Sequence, residues 1–209
     1  ARVRALVAET ARLAARLERP HRFMEVCGTH TMSAARAGLH ALLPANVRLS
    51  AGPGCPVCVT APGYVAAAVG LARRPECVIT TFGDMLRVPG GGWTLEEERA
   101  KGADVRVVYS PLDALAIARN EPKREIVFLG VGFETTAPTV AASILEAHRA
   151  GLANYSVLVA HKTMPRAMRA ILEHPGLSID GFLCPGHVSS ITGDAIYRFI
   201  PEEYAKPAA

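Results

Sequence analysis

Short apolar runs rich in β-branched residues alternate along most of this chain with helix-like stretches of roughly 10 to 15 residues. This alternation is typical of βαβ units, and it predicts an α/β fold with mainly parallel sheets. The predicted strands are residues 23–27, 47–51, 77–81, 105–109, 126–130, 155–160 and 181–184. The predicted helices are residues 32–43, 63–73, 95–101, 112–119, 137–150 and 165–174.

A polar turn, Asn-Glu-Pro-Lys at residues 120–123, precedes a new strand. We interpret this turn as the boundary between two Rossmann-like α/β domains, residues 1–121 and residues 122–209. Local signals support several helix ends. Ser110 followed by Pro111 predicts a capped helix start, and Gly151 predicts a helix stop after a long apolar-periodic stretch.

Composition excludes several classes of protein. The chain has 209 residues, of which 50% are hydrophobic and 20% charged, as in ordinary globular proteins. The net charge of +4 comes from scattered basic residues, so we expect no nucleic-acid partner. No apolar run approaches the ~20 residues that span a bilayer, so we expect no membrane insertion.

The five cysteines need a chemical explanation. Residues 1–19 form an Arg-bearing amphipathic helix pattern rather than a secretory signal, which favours a reducing, cytoplasmic location. In that compartment an odd number of cysteines indicates catalysis, transient disulfides or metal binding rather than a static disulfide framework.

Cys27 is the first candidate, because it follows a predicted strand and precedes a helix start near Thr29 and Thr31. Backbone N–H groups and the positive end of a helix stabilise a thiolate at such a position. His30 lies three residues on and is a candidate general base or supporting residue. The alternative is a small buried cysteine beside a histidine that belongs to the turn.

Cys55 and Cys58 have the two-residue spacing of a redox dithiol, in a loop fixed by proline and glycine residues. The competing interpretation is half of a zinc site. Cys27 and His30 would complete a set of three cysteines and one histidine if the two loops converge. We expect Cys77 and Cys184 to be core residues instead, with a loop-facing position as the alternative for Cys184, which ends a predicted strand.

Two further turns carry polar groups. Glu134, Thr135 and Thr136 follow a buried strand and two glycines, and the amides there are suited to holding an anion, although the turn lacks a Walker sequence. Glu134 would repel an anion, so proton transfer or partner docking is an equal alternative, as is a simple threonine helix cap. His187 is a site candidate if its loop faces the cysteines.

Five motifs cover almost the whole chain, in the order Cys27-Gly28-Thr29-His30-Thr31, Gly52-Pro53-Gly54-Cys55-Pro56-Val57-Cys58, Thr81-Phe82-Gly83-Asp84-Met85 with Arg87-Val88-Pro89-Gly90, Gly132-Phe133-Glu134-Thr135-Thr136-Ala137-Pro138, and Pro185-Gly186-His187-Val188-Ser189. In this order they resemble the motif set of the HypD family of [NiFe]-hydrogenase maturation factors.

The resemblance implies a metallocentre-assembly scaffold rather than a conventional turnover enzyme. An iron centre with two cyanides and one carbon monoxide would be held by Cys27 together with a HypC-like chaperone. Cyanide would arrive from a HypE-like partner, and Cys55 and Cys58 would be the redox dithiol. His30 would support Cys27. The other candidates for contact with the centre are Thr29, Thr31, Glu134, Thr135, Thr136 and His187.

The resemblance also implies a missing part. Family members continue into a segment whose four cysteines bind a [4Fe–4S] cluster, so we expect this chain to lack that iron–sulfur domain and its second α/β domain to be incomplete. Cys77 and Cys184 do not have cluster-binding spacing. A second hypothesis, from the residues alone, is a free-standing thiol oxidoreductase or transferase that uses Cys27 with His30.

Overall fold

The structure is a computed structural model that describes residues 2–209; Ala1, the first residue of the predicted amphipathic segment, lies outside them. Seven strands alternate with helices in this range. The strands are β1 His21–Glu25, β2 Val47–Ala51, β3 Cys77–Thr81, β4 Val105–Val107, β5 Glu125–Gly130, β6 Tyr155–Val159 and β7 Gly181–Leu183. The α-helices are α1 Arg2–Ala14, α2 Gly28–Arg36, α3 Leu39–Leu42, α4 Pro62–Ala72, α5 Leu95–Ala100, α6 Pro111–Asn120, α7 Ala137–Arg149, α8 Met164–Leu172, α9 Gly186–Thr192 and α10 Phe199–Tyr204. Short 3₁₀ helices cover Gly83–Arg87 and Ala195–Tyr197.

The strands form two parallel sheets, which confirms the predicted fold class. One sheet has three strands in the order β2-β1-β7, and the other has four in the order β4-β3-β5-β6. All the named strands pair in parallel, among them the two early strands β1 and β2. In each sheet, loops at the carboxyl ends of the strands are therefore brought to one edge.

The chain folds into two compact units. The first comprises the described residues up to Cys55 together with Met164–Ala209, and the second comprises Pro56–Thr163. The predicted boundary between residues 121 and 122 does not coincide with this division. The turn there connects α6 to β5, and β5 pairs with β3 inside one sheet. A polar turn between a helix and a strand is an ordinary feature of α/β folds, so it does not mark a domain boundary by itself.

The second unit has its core on both faces of its sheet. All five residues of β3 are buried, as are five of the six in β5, which explains their continuous apolar sequence. Phe128 of β5 is fully buried and meets Phe82 edge to face, with ring centroids 5.5 Å apart. Helices α4 and α6 contribute small residues, among them Ala68 and Ala114, that let the helices approach the sheet.

The first unit is built around β1, the central strand of its sheet. The start of β1 is partly exposed, whereas Met24 and Glu25 at its end are buried. Phe182 of β7 and Val26, just after β1, are also buried at 1% and 0% exposure. The chain end adds to this sheet, since Phe182 forms a parallel bridge with Ala208. The carboxyl end of β1, which leads directly to Cys27, is thus buried.

Most predicted elements agree with the structure to within two residues, but one helix does not. The predicted helix 32–43 is two helices, α2 and α3, because Gly38 takes a left-handed conformation with φ of 65° between them. The helix also begins earlier than predicted, at Gly28. Within residues 2–209, none of the helices combines the length and the hydrophobicity that a membrane crossing requires.

Candidate functional site

Cys27 occupies the N-cap position of α2, two residues after the end of β1. Its backbone is extended, with φ of −176° and ψ of 126°, and its side chain is only 2% exposed. The amide of Thr31 donates to the carbonyl of Cys27 at 3.1 Å, which closes the first turn of the helix. The sequence therefore holds this thiol at the amino end of a nine-residue helix, where anions are stabilised.

His187 is the imidazole that contacts the thiol. Its Nδ1 lies 3.6 Å from the Sγ of Cys27, although 160 residues separate the two in the chain. His187 is exposed and belongs to the first turn of α9, which follows β7. Because β7 is hydrogen-bonded to β1, this turn comes beside the end of β1. The loop of His187 thus faces Cys27, one of the cysteines named in the condition for this prediction, and its role as a site residue stays a prediction.

His30 lies beside His187 rather than against the sulfur. The two rings meet edge to face, with centroids 6.5 Å apart. The hydroxyl of Thr31 donates to the carbonyl of Cys27 at 3.4 Å, and Thr29 is exposed. Three of the predicted residues therefore line or support the turn, but the thiol–imidazole contact itself is made by His187.

The loop that precedes Cys55 packs against the Cys27 turn. The amide of Gly52 donates to the carbonyl of Glu25 at 2.8 Å. A Cβ atom on Gly54 would lie 2.4 Å from the amide nitrogen of Gly28 and 2.5 Å from the Cα of Cys27. Such a close approach of two backbones requires glycine at position 54. The residue immediately before Cys55 is therefore in contact with Cys27, and the segment that leads to Cys55 meets the Cys27 turn within the first unit.

Cys55 and Cys58 are disulfide-bonded, whereas Cys27, Cys77 and Cys184 are free. The pair is thus in its oxidised state, a point that the sequence left open. The hydroxyl of Thr60 donates to the carbonyl of Pro56 at 2.9 Å and closes the turn that carries Cys58.

Of the two remaining cysteines, Cys77 is a core residue, as predicted, whereas Cys184 is only half-buried. Cys77 begins β3 and is 3% exposed, and burial raises the pKa of its thiol. Burial also raises the pKa of Cys184 to about 11. Within residues 2–209, no three or more His, Cys, Asp or Glu side chains are grouped as a metal site.

The second unit holds the other predicted turn. Glu134, Thr135 and Thr136 are half-buried after β5, and Thr136 occupies the N-cap position of α7 without a side-chain capping bond. A Cβ on Gly132 would lie 2.4 Å from the Cβ of Thr136. The side chain of Thr136 thus occupies the space that a side chain at position 132 would need. The helix cap that the sequence offered as an alternative is not formed by Thr136.

Two buried polar residues escaped the sequence analysis. Glu25 is 2% exposed, and within the described part of the chain its Oε2 has no hydrogen-bond partner. The Nε2 of His161 is likewise buried without a partner in residues 2–209, and burial lowers the pKa of His161. Both lie near carboxyl ends of strands, β1 and β6. The only signal in the sequence was their position, since neither belongs to a motif.

The comparisons with known proteins decide the family. A family model described as HypD, hydrogenase formation hypA family, matches residues 1–209. The chain belongs to the HypD family. This confirms the resemblance that the five motifs predicted.

Relatives in this family carry the name hydrogenase maturation factor HypD. The chain is 50% identical to that of Rhodobacter capsulatus over 206 residues, which cover 97% of this chain and 55% of the relative. It is 50% identical to that of Rhizobium leguminosarum bv. viciae over 196 residues, 90% of this chain and 51% of the relative. For the Escherichia coli K12 protein the identity is 47% over 190 residues, 91% of this chain and 51% of the relative. The chain thus spans about half the length of these relatives.

Proposed function

We propose that this HypD-family chain serves [NiFe]-hydrogenase maturation as an assembly scaffold. Its cargo is an iron centre with two cyanides and one carbon monoxide, held by Cys27 jointly with a cysteine of a HypC-like chaperone. Cyanide comes from a HypE-like partner. The observation that carries the proposal is the Cys27 thiol, fixed at the amino end of α2, 3.6 Å from His187 and in backbone contact with the loop that leads to Cys55.

The chemistry of Cys27 suits this cargo. Iron with strong-field ligands such as cyanide and carbon monoxide is soft, and thiolate is the soft ligand that proteins offer. The backbone amides at the amino end of α2 stabilise the negative charge that the iron-bound thiolate carries. The ring of His187 supplies a hydrogen-bonding group next to the sulfur, and such groups orient a metal-bound ligand. One protein thiolate leaves the other iron positions for cyanide, carbon monoxide and the chaperone.

Cys55 and Cys58 supply redox equivalents in this proposal. Reduction of their disulfide takes up two electrons and two protons and yields two thiols, and the reverse reaction releases them. Gly54 and the neighbouring prolines restrain the segment that leads to Cys55, which keeps Cys55 near the Cys27 turn. The cytoplasm, which is reducing, is the expected setting for a disulfide that opens and closes.

The test is iron retention in a complex with a HypC-like chaperone. The chain is co-purified with that chaperone, and the iron bound per complex is measured by elemental analysis. Cys27→Ala should abolish iron retention, whereas Cys184→Ala, which removes a half-buried thiol after β7, should retain it. Iron retained at the native level by Cys27→Ala would refute the proposal.

A second candidate function is a free-standing thiol enzyme. The 3.6 Å contact between the Cys27 sulfur and the His187 nitrogen favours it, since nucleophilic cysteines pair with an imidazole. The 2% exposure of Cys27 counts against it, because a substrate must reach the sulfur. Rapid alkylation of Cys27 in the isolated chain would support this function, and alkylation at the rate of an ordinary buried thiol would exclude it.

A further inference from the structure

Two arginines lie side by side on neighbouring strands of the first unit. Arg22 of β1 and Arg48 of β2 are register partners in a parallel pair, so their side chains leave the same face of the sheet. Both are exposed. Within residues 2–209, neither guanidinium takes part in an ion pair or a side-chain hydrogen bond.

This arrangement is unfavourable without a counter-charge. Neighbouring strands are about 4.8 Å apart, and like charges placed opposite each other on one face destabilise a sheet. Arginine keeps its charge at any physiological pH, so the repulsion cannot be relieved by loss of a proton. A bound anion that accepts hydrogen bonds from both guanidiniums would relieve it.

The two arginines line a small cavity of about 170 Å³ at the amino ends of β1 and β2. The other lining groups include Arg19, His21 and Asp180. Asp180 is already engaged, because its carboxylate accepts from the guanidinium of Arg19 at 2.5 Å and from the amide of Arg22 at 2.8 Å. The hydrogen bond from Arg19 lowers the pKa of Asp180 to about 2, so this carboxylate is charged at neutral pH.

The charges of the cavity do not cancel. Three arginines face one carboxylate, which leaves two positive charges when histidine is neutral. The carboxylate of Asp180 is hydrogen-bonded to the guanidinium of Arg19 and to the backbone amide of Arg22. The two uncompensated positive charges are therefore those of the Arg22 and Arg48 guanidiniums. At about 170 Å³ the cavity is smaller than the ~300–1,000 Å³ of typical pockets for organic ligands. Its size and charge suit a tetrahedral anion.

We propose that this cavity binds a small oxyanion of the phosphate class, with Arg22 and Arg48 each donating hydrogen bonds to it. Guanidinium groups recognise phosphate through paired N–H donors, which are stronger than neutral hydrogen bonds. The site is separate from the thiol site. Cys27 is six residues beyond His21 along an extended chain, a separation of about 20 Å at ~3.3 Å per residue. The inference therefore goes beyond the proposed function and does not depend on it.

The test compares the stability of the purified chain in phosphate and in sodium chloride of equal ionic strength. A ligand that binds only the folded state raises the folding equilibrium constant by the factor 1 + [L]/Kd. With Kd on the order of 1 mM, 20 mM phosphate should raise that constant roughly 20-fold above the chloride reference. Urea unfolding monitored by circular dichroism measures the change, and calorimetric titration of inorganic phosphate measures Kd directly.

Variants then locate the site. Arg48→Gln and Arg22→Gln should each weaken phosphate binding about tenfold or more and reduce the stabilisation to roughly threefold or less. Both positions are exposed, so these variants should fold, and in chloride they should be at least as stable as the native chain. Arg36→Gln, at an exposed arginine in the last turn of α2, should leave the phosphate response unchanged. No phosphate response in the native chain, or an equal response in Arg48→Gln, would overturn the proposal.

Discussion

Replacing Gly54 by alanine should push a methyl group into the backbone of the Cys27 turn. The new Cβ would lie 2.4 Å from the amide nitrogen of Gly28 and 2.5 Å from the Cα of Cys27. Favourable contacts between non-bonded heavy atoms begin near 3.5 Å, so both contacts are about 1 Å too short. The atoms met are backbone, which cannot rotate away as a side chain can.

The expected cost follows from this geometry. Overpacking of a filled site costs roughly 1–3 kcal/mol, with the larger values where the backbone must move. Because two neighbouring backbone groups of the Cys27 turn are affected, we expect Gly54→Ala to lose about 3 kcal/mol of unfolding free energy. Separation of the two loops should also expose the Cys27 sulfur, which is 2% exposed in the native chain.

Urea unfolding and alkylation of Cys27, read by mass spectrometry, measure these two effects. Gly70→Ala is the matched control, because Gly70 lies within α4 and a Cβ there meets no atom within 4 Å. Alanine is a better helix former than glycine, so this control should gain about 0.5–1 kcal/mol. If Gly54→Ala is as stable as the native chain and Cys27 alkylates no faster, the two loops are not in contact and the shared-site reasoning fails.

Three further variants test the fold. Ser110→Ala removes the side chain of a capping box and should cost about 1 kcal/mol in urea unfolding; no loss would mean that the cap is not formed. Phe128→Ala empties a fully buried position and should cost about 3–5 kcal/mol, and a cost below 1 kcal/mol would contradict the described core. Hydrogen bonds from Arg73 and Lys101 lower the pKa of buried Glu98 to about 2, below the usual 4.5. The stability that Glu98 adds is therefore complete above pH 4.5 and fades as the pH falls towards 2. Glu98→Gln should be less stable than the native chain at pH 7 and should converge with it near pH 2, and a constant difference would refute this account.

Sequence reasoning predicted the architecture well because the strands of α/β folds carry strong local signals. Strands β2 and β3 have the predicted bounds, and the cap at Ser110 and the left-handed Gly151 occur where they were expected. The division of the chain into two compact units, however, depends on which strands pair across long stretches of sequence. Strand β7 returns to β1, and no local pattern encodes that pairing.

The site was predicted in part for the same reason. The candidates Cys27, His30, Cys55 and Cys58 came from short motifs, and the contact between the two loops depends on Gly54, whose role appears only in three dimensions. The imidazole that contacts the Cys27 sulfur is that of His187, because β7 places its turn beside β1. Sequence proximity favoured His30 instead. Distance along the chain is a poor guide wherever strands from far apart share an edge.

A disulfide-trapping experiment tests the central claim, that the two cysteine loops form one site, most directly. A Cβ on Gly54 would lie 2.5 Å from the Cα of Cys27, so the Cα of the next residue, Cys55, is within about 8 Å of it. Disulfides join Cα atoms that are roughly 4.4–6.8 Å apart, so a small loop movement is enough. In Cys58→Ser, which frees Cys55, mild oxidation should give mainly a Cys27–Cys55 disulfide in the peptide map. The same oxidation in urea should spread pairing over all four remaining cysteines. If the folded variant never links Cys27 to Cys55, the shared site is contradicted.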